Sequence, residues 1–400
     1  MTVIQVRPDI YWIGVNDRTT DLFEGVWPID QTGVSYNAYL VRDEKTALID
    51  LAKAFKADEF LGQIAQVCDL GAIDYVVVNH VEPDHSGLLA LFRRLAPQAT
   101  IVGTEKTKEL LEAFYGGAES VQVVQDGEVL DLGSHTLQFF STPFVHWPET
   151  MMTYDQAQKV LFSCDAFGGY GALRGAIFDD QCVDMGFYER EALRYYVNII
   201  AKFSGPVLRA IKKLQSVPLE VIAPSHGLVW RKNPQRIVEL YAQWARYATE
   251  PAEPGVTLLY GSMYGNTERV MNAVAQGISR EDVPLEVFDV ARTHYSYILP
   301  SLWTKMGVMI GAPTYEVGLF PPMAHVLDIA ARKRVMNKKA AWFGSYGWSG
   351  GAQKELADLI TPLKWDLLET MEFRGGPTAE DMKAAEEFGA RFARALVQNH

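Results

Sequence analysis

The stretch Asn79-His80-Val81-Glu82-Pro83-Asp84-His85-Ser86-Gly87 (NHVEPDHSG) packs four potential metal ligands, His80, Glu82, Asp84 and His85, into six residues. It follows directly on Ile73–Asn79 (IDYVVVN), a continuous apolar run of strand length, and leads into helical apolar spacing over Ser86–Leu95. A strand that ends in ligands delivers short side chains at the top of a sheet. Burying two imidazoles and two carboxylates together without a cation costs on the order of several kcal/mol. The pattern therefore predicts a metal site at a strand end of an α/β fold.

Three more positions extend the set. His146 lies in Thr142–Thr150 (TPFVHWPET), Asp165 in Leu161–Phe167 (LFSCDAF) and His226 in Ala223–Gly227 (APSHG), each closing a strand-like run. Four of the eight histidines thus join three carboxylates, and seven donors exceed the needs of one tetrahedral ion. They suit two ions sharing a bridging carboxylate. His135, His294, His325 and His400 have no such company and read as core or surface histidines. Three carboxylates without a thiolate make a hard ligand set, which suits iron or manganese and does not exclude zinc. Negative charge from Glu82, Asp84 and Asp165 would also stabilise a ferric state, so a redox-active di-iron pair enters beside zinc. Trp147, next to a ligand, packs either over the site or into the core.

Four hundred residues are too many for one ordinary core and predict two domains. The 48% hydrophobic and 22% charged shares are those of a globular chain. A formal net charge of −12 argues against nucleic acid as a partner. No run approaches the roughly 20 apolar residues of a membrane span, and the N-terminus, with Arg7 and Asp9 among its apolar residues, does not read as a signal peptide. Cys68, Cys164 and Cys182 show no CxxC spacing. That excludes a disulfide framework, an iron–sulfur cluster and a four-thiolate iron site, and predicts a reducing, cytoplasmic setting.

The first domain, 1–250, alternates short strands with turns and a few helices: a hairpin of Tyr36–Leu40 and Thr46–Leu51, then runs at Val121–Val124, Thr136–Phe140, Met151–Tyr154 and Lys159–Ser163. Ala248–Gly255, with two prolines and a glycine, reads as a linker. The second domain, 255–400, repeats strand, loop and helix. Strands are expected at Val256–Tyr260, Leu285–Val290, Met306–Ile310 and Ala340–Phe343, and helices at Thr267–Ile278, Pro322–Ala331 and Gln353–Leu363. That alternation predicts a doubly wound parallel sheet of flavodoxin size.

Three loops at strand carboxyl ends give that sheet a ligand. Ser262, Met263, Tyr264, Gly265, Asn266 and Thr267 place hydroxyls and free N–H groups at a helix N-terminus, which favours a phosphate. The loop has neither a Walker A Gly-Lys pair nor GxGxxG, so a monophosphate ester fits better than a di- or trinucleotide. Pro313, Thr314, Tyr315 and Glu316 form the second loop, and Ser345, Tyr346, Gly347, Trp348, Ser349 and Gly350 the third. Glycines that allow close approach and aromatics that flank a planar ring complete the layout of an FMN site.

Taken together, His80-x-Glu82-x-Asp84-His85, His146-Trp147-Pro148, Asp165, His226 and the three loops in order make the chain resemble a flavodiiron protein (A-type flavoprotein) over nearly its whole length. The resemblance implies a metallo-β-lactamase-like αββα sandwich followed by a flavodoxin-like doubly wound sheet. It implies a non-haem di-iron site, with His80, Glu82 and His146 on one iron, Asp84, His85 and His226 on the other, and Asp165 bridging. It further implies an FMN cofactor, reduction of oxygen to water, of nitric oxide to nitrous oxide, or both, and a head-to-tail homodimer or a dimer of dimers. Nothing after the second domain reads as an electron-supplying module, so an external donor, rubredoxin, is expected. Two departures stand out. Glu24, in Leu22-Phe23-Glu24-Gly25, replaces a histidine frequent in the family, and Glu316-Val317 stands where asparagines are frequent. A two-zinc hydrolase of the metallo-β-lactamase kind would carry histidine at Glu82. Such a hydrolase, of glyoxalase or lactonase type with a flavodoxin-like appendage, is the alternative reading.

Overall fold

The computed structural model describes residues 3–397, so His400 lies outside the described residues. The chain divides into two compact units, Met1–Ala245 and Arg246–His400. In the first, a seven-stranded sheet runs in the order Ile4–Arg7, Ile10–Trp12, Tyr39–Val41, Thr46–Ile49, Ile73–Val77, Thr100–Gly103, Gln122–Val123. A five-stranded sheet follows the order Val129–Asp131, Thr136–Ser141, Met151–Asp155, Val160–Phe162, Val221–Ala223. The sheets meet face to face: the rings of Tyr39 and Phe162 lie 5.1 Å apart. Both inner strands are buried along their length, which is why Thr46–Ile49 and Val160–Phe162 read as continuous rather than alternating apolar runs.

The structure corrects two local expectations. Gln122–Val123 is not half of an antiparallel pair but lies parallel to Thr100–Gly103. The helix expected over Ser86–Leu95 is split into a single turn, Pro83–Ser86, and a longer helix, Leu89–Leu95. Pro83 starts the first turn at a position where its missing N–H costs nothing, so Asp84 and His85 sit in helix rather than loop.

The second unit holds a parallel sheet in the order Leu285–Asp289, Glu253–Tyr260, Lys305–Tyr315, Lys339–Tyr346, Asp366–Arg374. This is the 2-1-3-4-5 winding of flavodoxin-like folds, in which a ligand cleft opens at the carboxyl ends where strand order reverses. The linker expected over Ala248–Gly255 is already partly strand, because Glu253 pairs with Lys305 before a bulge. The helices Asn266–Ser279 and Ala379–Val397 cross with their backbones touching: a Cβ on Gly277 would lie 1.9 Å from the Glu386 carbonyl oxygen. Only glycine allows that approach.

Lys338 introduces a charge problem at the opposite sheet end. It is buried, and its Nζ donates to the carbonyls of Trp303 (2.9 Å) and Lys305 (2.7 Å). Burial pushes its ammonium down to about 7. An unfolded lysine keeps its proton to roughly pH 10.4. The contribution to stability is therefore fully present above that value and is lost as pH falls toward 7. We expect the unfolding free energy, read from urea midpoints, to climb between about pH 7 and 10 in the native chain and to climb less steeply in Lys338→Met; equal slopes would contradict this.

Candidate metal centre and flavin cleft

The strand Ile73–Val77 is anchored before its ligands emerge. The Asn79 N–H donates to Asp50 Oδ1 (2.8 Å), its carbonyl accepts from the Met151 N–H (3.0 Å), and its Oδ1 accepts from Thr153 Oγ1 (2.7 Å). Both sheets thus fix the point from which His80 projects. Ser86 Oγ donates to the Val81 carbonyl (2.5 Å) and closes the turn that carries Asp84 and His85. Asp165 follows Val160–Phe162 through Cys164, held at φ 57°. A left-handed cysteine costs about 1–3 kcal/mol, a strain tolerated here because it aims Asp165 inward. His226 follows the strand Val221–Ala223 after Pro224 and Ser225.

Two histidines have their tautomers fixed from behind. His226 Nδ1 lies 2.7 Å from the Ser35 carbonyl, which can only accept, so Nδ1 carries the proton and Nε2 faces the site. His80 Nδ1 lies 2.6 Å from Glu149 Oε1, which also accepts from the Val81 N–H at 2.9 Å. Such partners orient a metal-binding imidazole and raise its basicity. Neither Glu149 nor Ser35 stands out in the sequence as part of the site.

The seven predicted residues converge as two groups, His80, Glu82, His146 and Asp165, and Asp84, His85 and His226; within each, the donor atoms lie within 4.8 Å of one another. Asp165 reaches both. Its Oδ2 is 3.4 Å from His80 Nε2 and 3.2 Å from His146 Nε2, while its Oδ1 is 3.1 Å from His85 Nε2 and 3.3 Å from His226 Nε2. Glu82 Oε2 stands 3.1 Å from both His80 and His146 Nε2, and the Asp84 oxygens 3.4 Å from His85 and His226. Despite these separations, both oxygens of Asp84 and of Asp165, and the Nε2 atoms of His85 and His226, are buried without a hydrogen bond. The atoms are close but not aligned on one another; they point at shared centres. Orphaned, convergent donors of this kind fit a pair of cations.

Electrostatics agree. Burial pulls the imidazoles down, but Asp165 and Glu82 outweigh it and raise His146 to about 9; Asp165 and Asp84 raise His226 to about 10. Burial pushes Asp165 up, yet the surrounding histidines hold it well below the carboxylate range. Glu24 sits at the rim. Its backbone is left-handed (φ 52°), Trp27 Nε1 donates to its Oε2 at 2.9 Å, and the carboxyl turns toward Glu82 although the residue as a whole is exposed. Burial of the carboxyl and the Glu82 charge raise it to about 7. His135, by contrast, is a satisfied histidine, with Nδ1 2.5 Å from Asp155 Oδ2.

In the second unit, a cleft of about 470 Å³ opens at the sheet's carboxyl end. Met263, Tyr264, Asn266, Pro313, Thr314, Tyr315, Glu316, Ser345, Tyr346, Gly347, Trp348 and Ser349 of the predicted loops line it, joined by Val317 and Gly375. Ser262, Gly265, Thr267 and Gly350 stand behind that lining: Ser262 Oγ accepts from the Gly265 N–H (3.0 Å), and Thr267 and Ser345 share a hydrogen bond (3.0 Å). Tyr264 and Trp348 line the cleft and are each 89% exposed, leaving aromatic surface against which a planar ring can lie. Glu316 (φ 47°) and Val317 (φ 66°) form a two-residue turn between Thr314–Tyr315 and Gly318–Leu319. Two consecutive left-handed residues are normal for Asn-Gly but strained for valine. The turn is held by Glu355 Oε2, which accepts from the Leu319 N–H at 2.6 Å, and by Gly351, where a Cβ would lie 1.9 Å from the Val317 carbonyl oxygen.

A cation cradle capping a sandwich of sheets and a ring-shaped cleft on a flavodoxin-like sheet together define a two-domain metalloflavoprotein. Sequence comparison places names on both halves: residues 34–227 match the ODP family beta lactamase and residues 258–389 match flavodoxin. The chain is 35% identical over 397 residues to the anaerobic nitric oxide reductase flavorubredoxin of Vibrio vulnificus, covering 98% of this chain and 79% of that one. It is equally similar to the Escherichia coli K12 flavorubredoxin, of which it covers 82%. The fold superposes on rubredoxin oxygen:oxidoreductase from Desulfovibrio gigas with a TM-score of 0.93, 31% identity and 99% coverage of both chains. The Giardia intestinalis flavodiiron protein gives 0.92 at 29% identity, covering 99% of this chain and 97% of that one. The chain belongs to the flavodiiron protein family.

Metal ligands must be deprotonated to bind, so loading the metal-free protein near neutral pH displaces protons held by His146 and His226. We expect Fe(II) affinity to rise with pH up to about 9–10. Calorimetric binding enthalpies should also depend on the buffer's ionisation heat; buffer-independent enthalpies would contradict the assignment. With FMN in the cleft, the Glu316 carboxylate lining it would disfavour anionic reduced flavin, so Glu316→Gln is expected to raise the flavin midpoint potential in a spectroelectrochemical titration.

Proposed function

We propose that this chain is a flavodiiron oxidoreductase that reduces oxygen to water, nitric oxide to nitrous oxide, or both, using electrons relayed through FMN from an external donor. The observation that carries this reading is the Asp165 carboxylate reaching both histidine groups, on a chain that also bears a flavodoxin domain. We assign His80, Glu82 and His146 to one iron, Asp84, His85 and His226 to the other, and Asp165 to both. FMN is assigned to the cleft between Tyr264 and Trp348, with its phosphate at the loop Ser262–Thr267. Both gases belong to the reading because the similar proteins are named for each, nitric oxide in the flavorubredoxins and oxygen in the Desulfovibrio gigas enzyme. The hydrolase alternative falls: relatives matched over nearly the whole chain are oxidoreductases.

When bound, the cofactors would supply the electrons and the metal chemistry for reducing the gas. The protein's part is to hold and to protonate. Glu82, Asp84 and Asp165 keep a compact negative charge that retains the cations through a change of oxidation state. Glu149 and the Ser35 carbonyl lock two imidazoles so that little reorganisation accompanies electron arrival. Both reductions consume protons. Glu24, near 7 and directed at Glu82, is poised to hold a proton at its carboxyl oxygen and release it at the rim.

The donor in this proposal is a rubredoxin, the assembly a head-to-tail homodimer or a dimer of dimers, and the setting the cytoplasm. Support for the last is that Cys68, Cys164 and Cys182 are all free thiols; among the described residues, no helix is long and apolar enough to cross a membrane.

The test is metal and flavin analysis followed by anaerobic turnover with reduced rubredoxin. Two irons and one FMN per chain, with rapid consumption of oxygen or nitric oxide, are expected. Zinc with thioester or lactone hydrolysis, or flavin reduction with no gas uptake, would overturn the reading.

A further inference from the structure

Behind the flavin cleft stands a carboxylate that is not part of its lining. Glu355 lies in the first turn of the helix Ala352–Ile360, and its Oε2 accepts from the Leu319 N–H at 2.6 Å. We propose that Glu355 is a positioning residue for the flavin: by clamping the Glu316–Val317 turn it fixes where the Glu316 carboxylate stands, and so sets the flavin midpoint potential without touching the ring. The inference rests on the assignment of FMN to this cleft.

The turn does not hold its own shape. Its hairpin consists of two pairs, Thr314 with Leu319 and Tyr315 with Gly318, and a hairpin so short is not stable by itself in water. Both residues of the turn are left-handed, at φ 47° and 66°. Val317 is 67% exposed, so packing of its side chain repays little of that strain. Released, a valine moves to negative φ. That movement reorients the peptide joining it to Glu316 and carries the Glu316 side chain with it.

The restraint comes from one helix end. The Val317 carbonyl oxygen lies so close to Gly351 that a Cβ there would meet it at 1.9 Å. Glu355 stands four residues further along, about one helical turn, and takes the Leu319 N–H. Gly351 and Glu355 thus grip the hairpin on either side of Gly318, where an added side chain would strike the Glu355 carboxylate. Gly351 also follows directly on the third loop, Ser345–Gly350, so the same grip ties the second flavin loop to the third. Gly351 acts by lacking a side chain, whereas the Glu355 tie can be cut by substitution without adding bulk.

The consequence is electrostatic. Glu316 lines the cleft, and a negative charge held there disfavours the anionic reduced flavin. A turn freed at Leu319 lets that charge swing into solvent, where it is screened. Cutting the clamp therefore acts in the same direction as neutralising Glu316, and through the same carboxylate.

Spectroelectrochemical titration of the holoprotein, together with FMN dissociation constants from flavin fluorescence, provides the test. Glu355→Ala is expected to weaken FMN binding roughly tenfold and to move the midpoint potential upward, toward that of Glu316→Gln. Glu355→Gln, whose amide oxygen still accepts from the Leu319 N–H, should stay close to the native potential and affinity. Added to Glu316→Gln, Glu355→Ala should move the potential no further. An unmoved potential in Glu355→Ala, an equal shift in Glu355→Gln, or a full further shift in the double variant would overturn the inference. Should Glu355→Ala hold no FMN, retention of FMN by Glu355→Gln supports the clamp and its loss overturns it. A native chain that takes up no FMN overturns the cofactor assignment, and this inference with it, before any variant is made.

Discussion

The Asp165 carboxylate, buried among four imidazole nitrogens at 3.1–3.4 Å, is the constraint around which the first domain is arranged. A lone buried carboxylate is prohibitively costly, and a carboxylate surrounded by histidines is tolerated only while their protons or a cation balance it. That requirement accounts for three local features at once: the left-handed Cys164, the single helical turn begun at Pro83, and the backbone of Asn79 tied to both sheets. Each helps to bring a ligand to one point, and the first does so at a cost in backbone strain. Beneath the site, the inner strands Thr46–Ile49 and Val160–Phe162 are buried along their length.

The flavodoxin-like domain solves a related problem with backbone instead of charge. Its cleft is made where loops leave parallel strands, and the Glu316–Val317 turn adopts a conformation valine resists. The turn persists because Glu355 and the Gly351 backbone fix it from outside. In both domains residues outside the predicted site set, Glu149 and Ser35 in one and Glu355 and Gly351 in the other, fix groups that face the site. The rigidity of the site therefore resides one layer out, in Glu149, Ser35, Glu355 and Gly351.

That outer layer is also what the sequence conceals. His80, Glu82, Asp84 and His85 are legible because they are adjacent, and His146, Asp165 and His226 because each closes an apolar run. The flavin loops are legible because glycine and aromatics recur at strand ends. Glu149 and Ser35 carry no such signal: their partners are 69 and 191 positions away, and a glutamate or serine in a loop is unremarkable until the fold is known. The short helix at Pro83 was obscured by a continuous helical spacing that Gly87 interrupts, its Cβ position 2.4 Å from the Pro83 carbonyl oxygen. The parallel, doubly wound sheet of the second domain was legible in the alternation, since parallel strands need crossover helices, whereas the strand order was not.

The position of Glu24 has a consequence for how the centre can be tuned. Glu24, to which the proposal above assigns a proton, is exposed as a residue while its carboxyl faces Glu82 and accepts from Trp27. A substitution there leaves the bonds that orient His80 and His226 in place, because neither passes through it. The ligand set is fixed by electrostatic necessity around Asp165, whereas the rim is where members of such a fold can differ. Glu24 is placed where variation changes the chemistry at little cost to the fold.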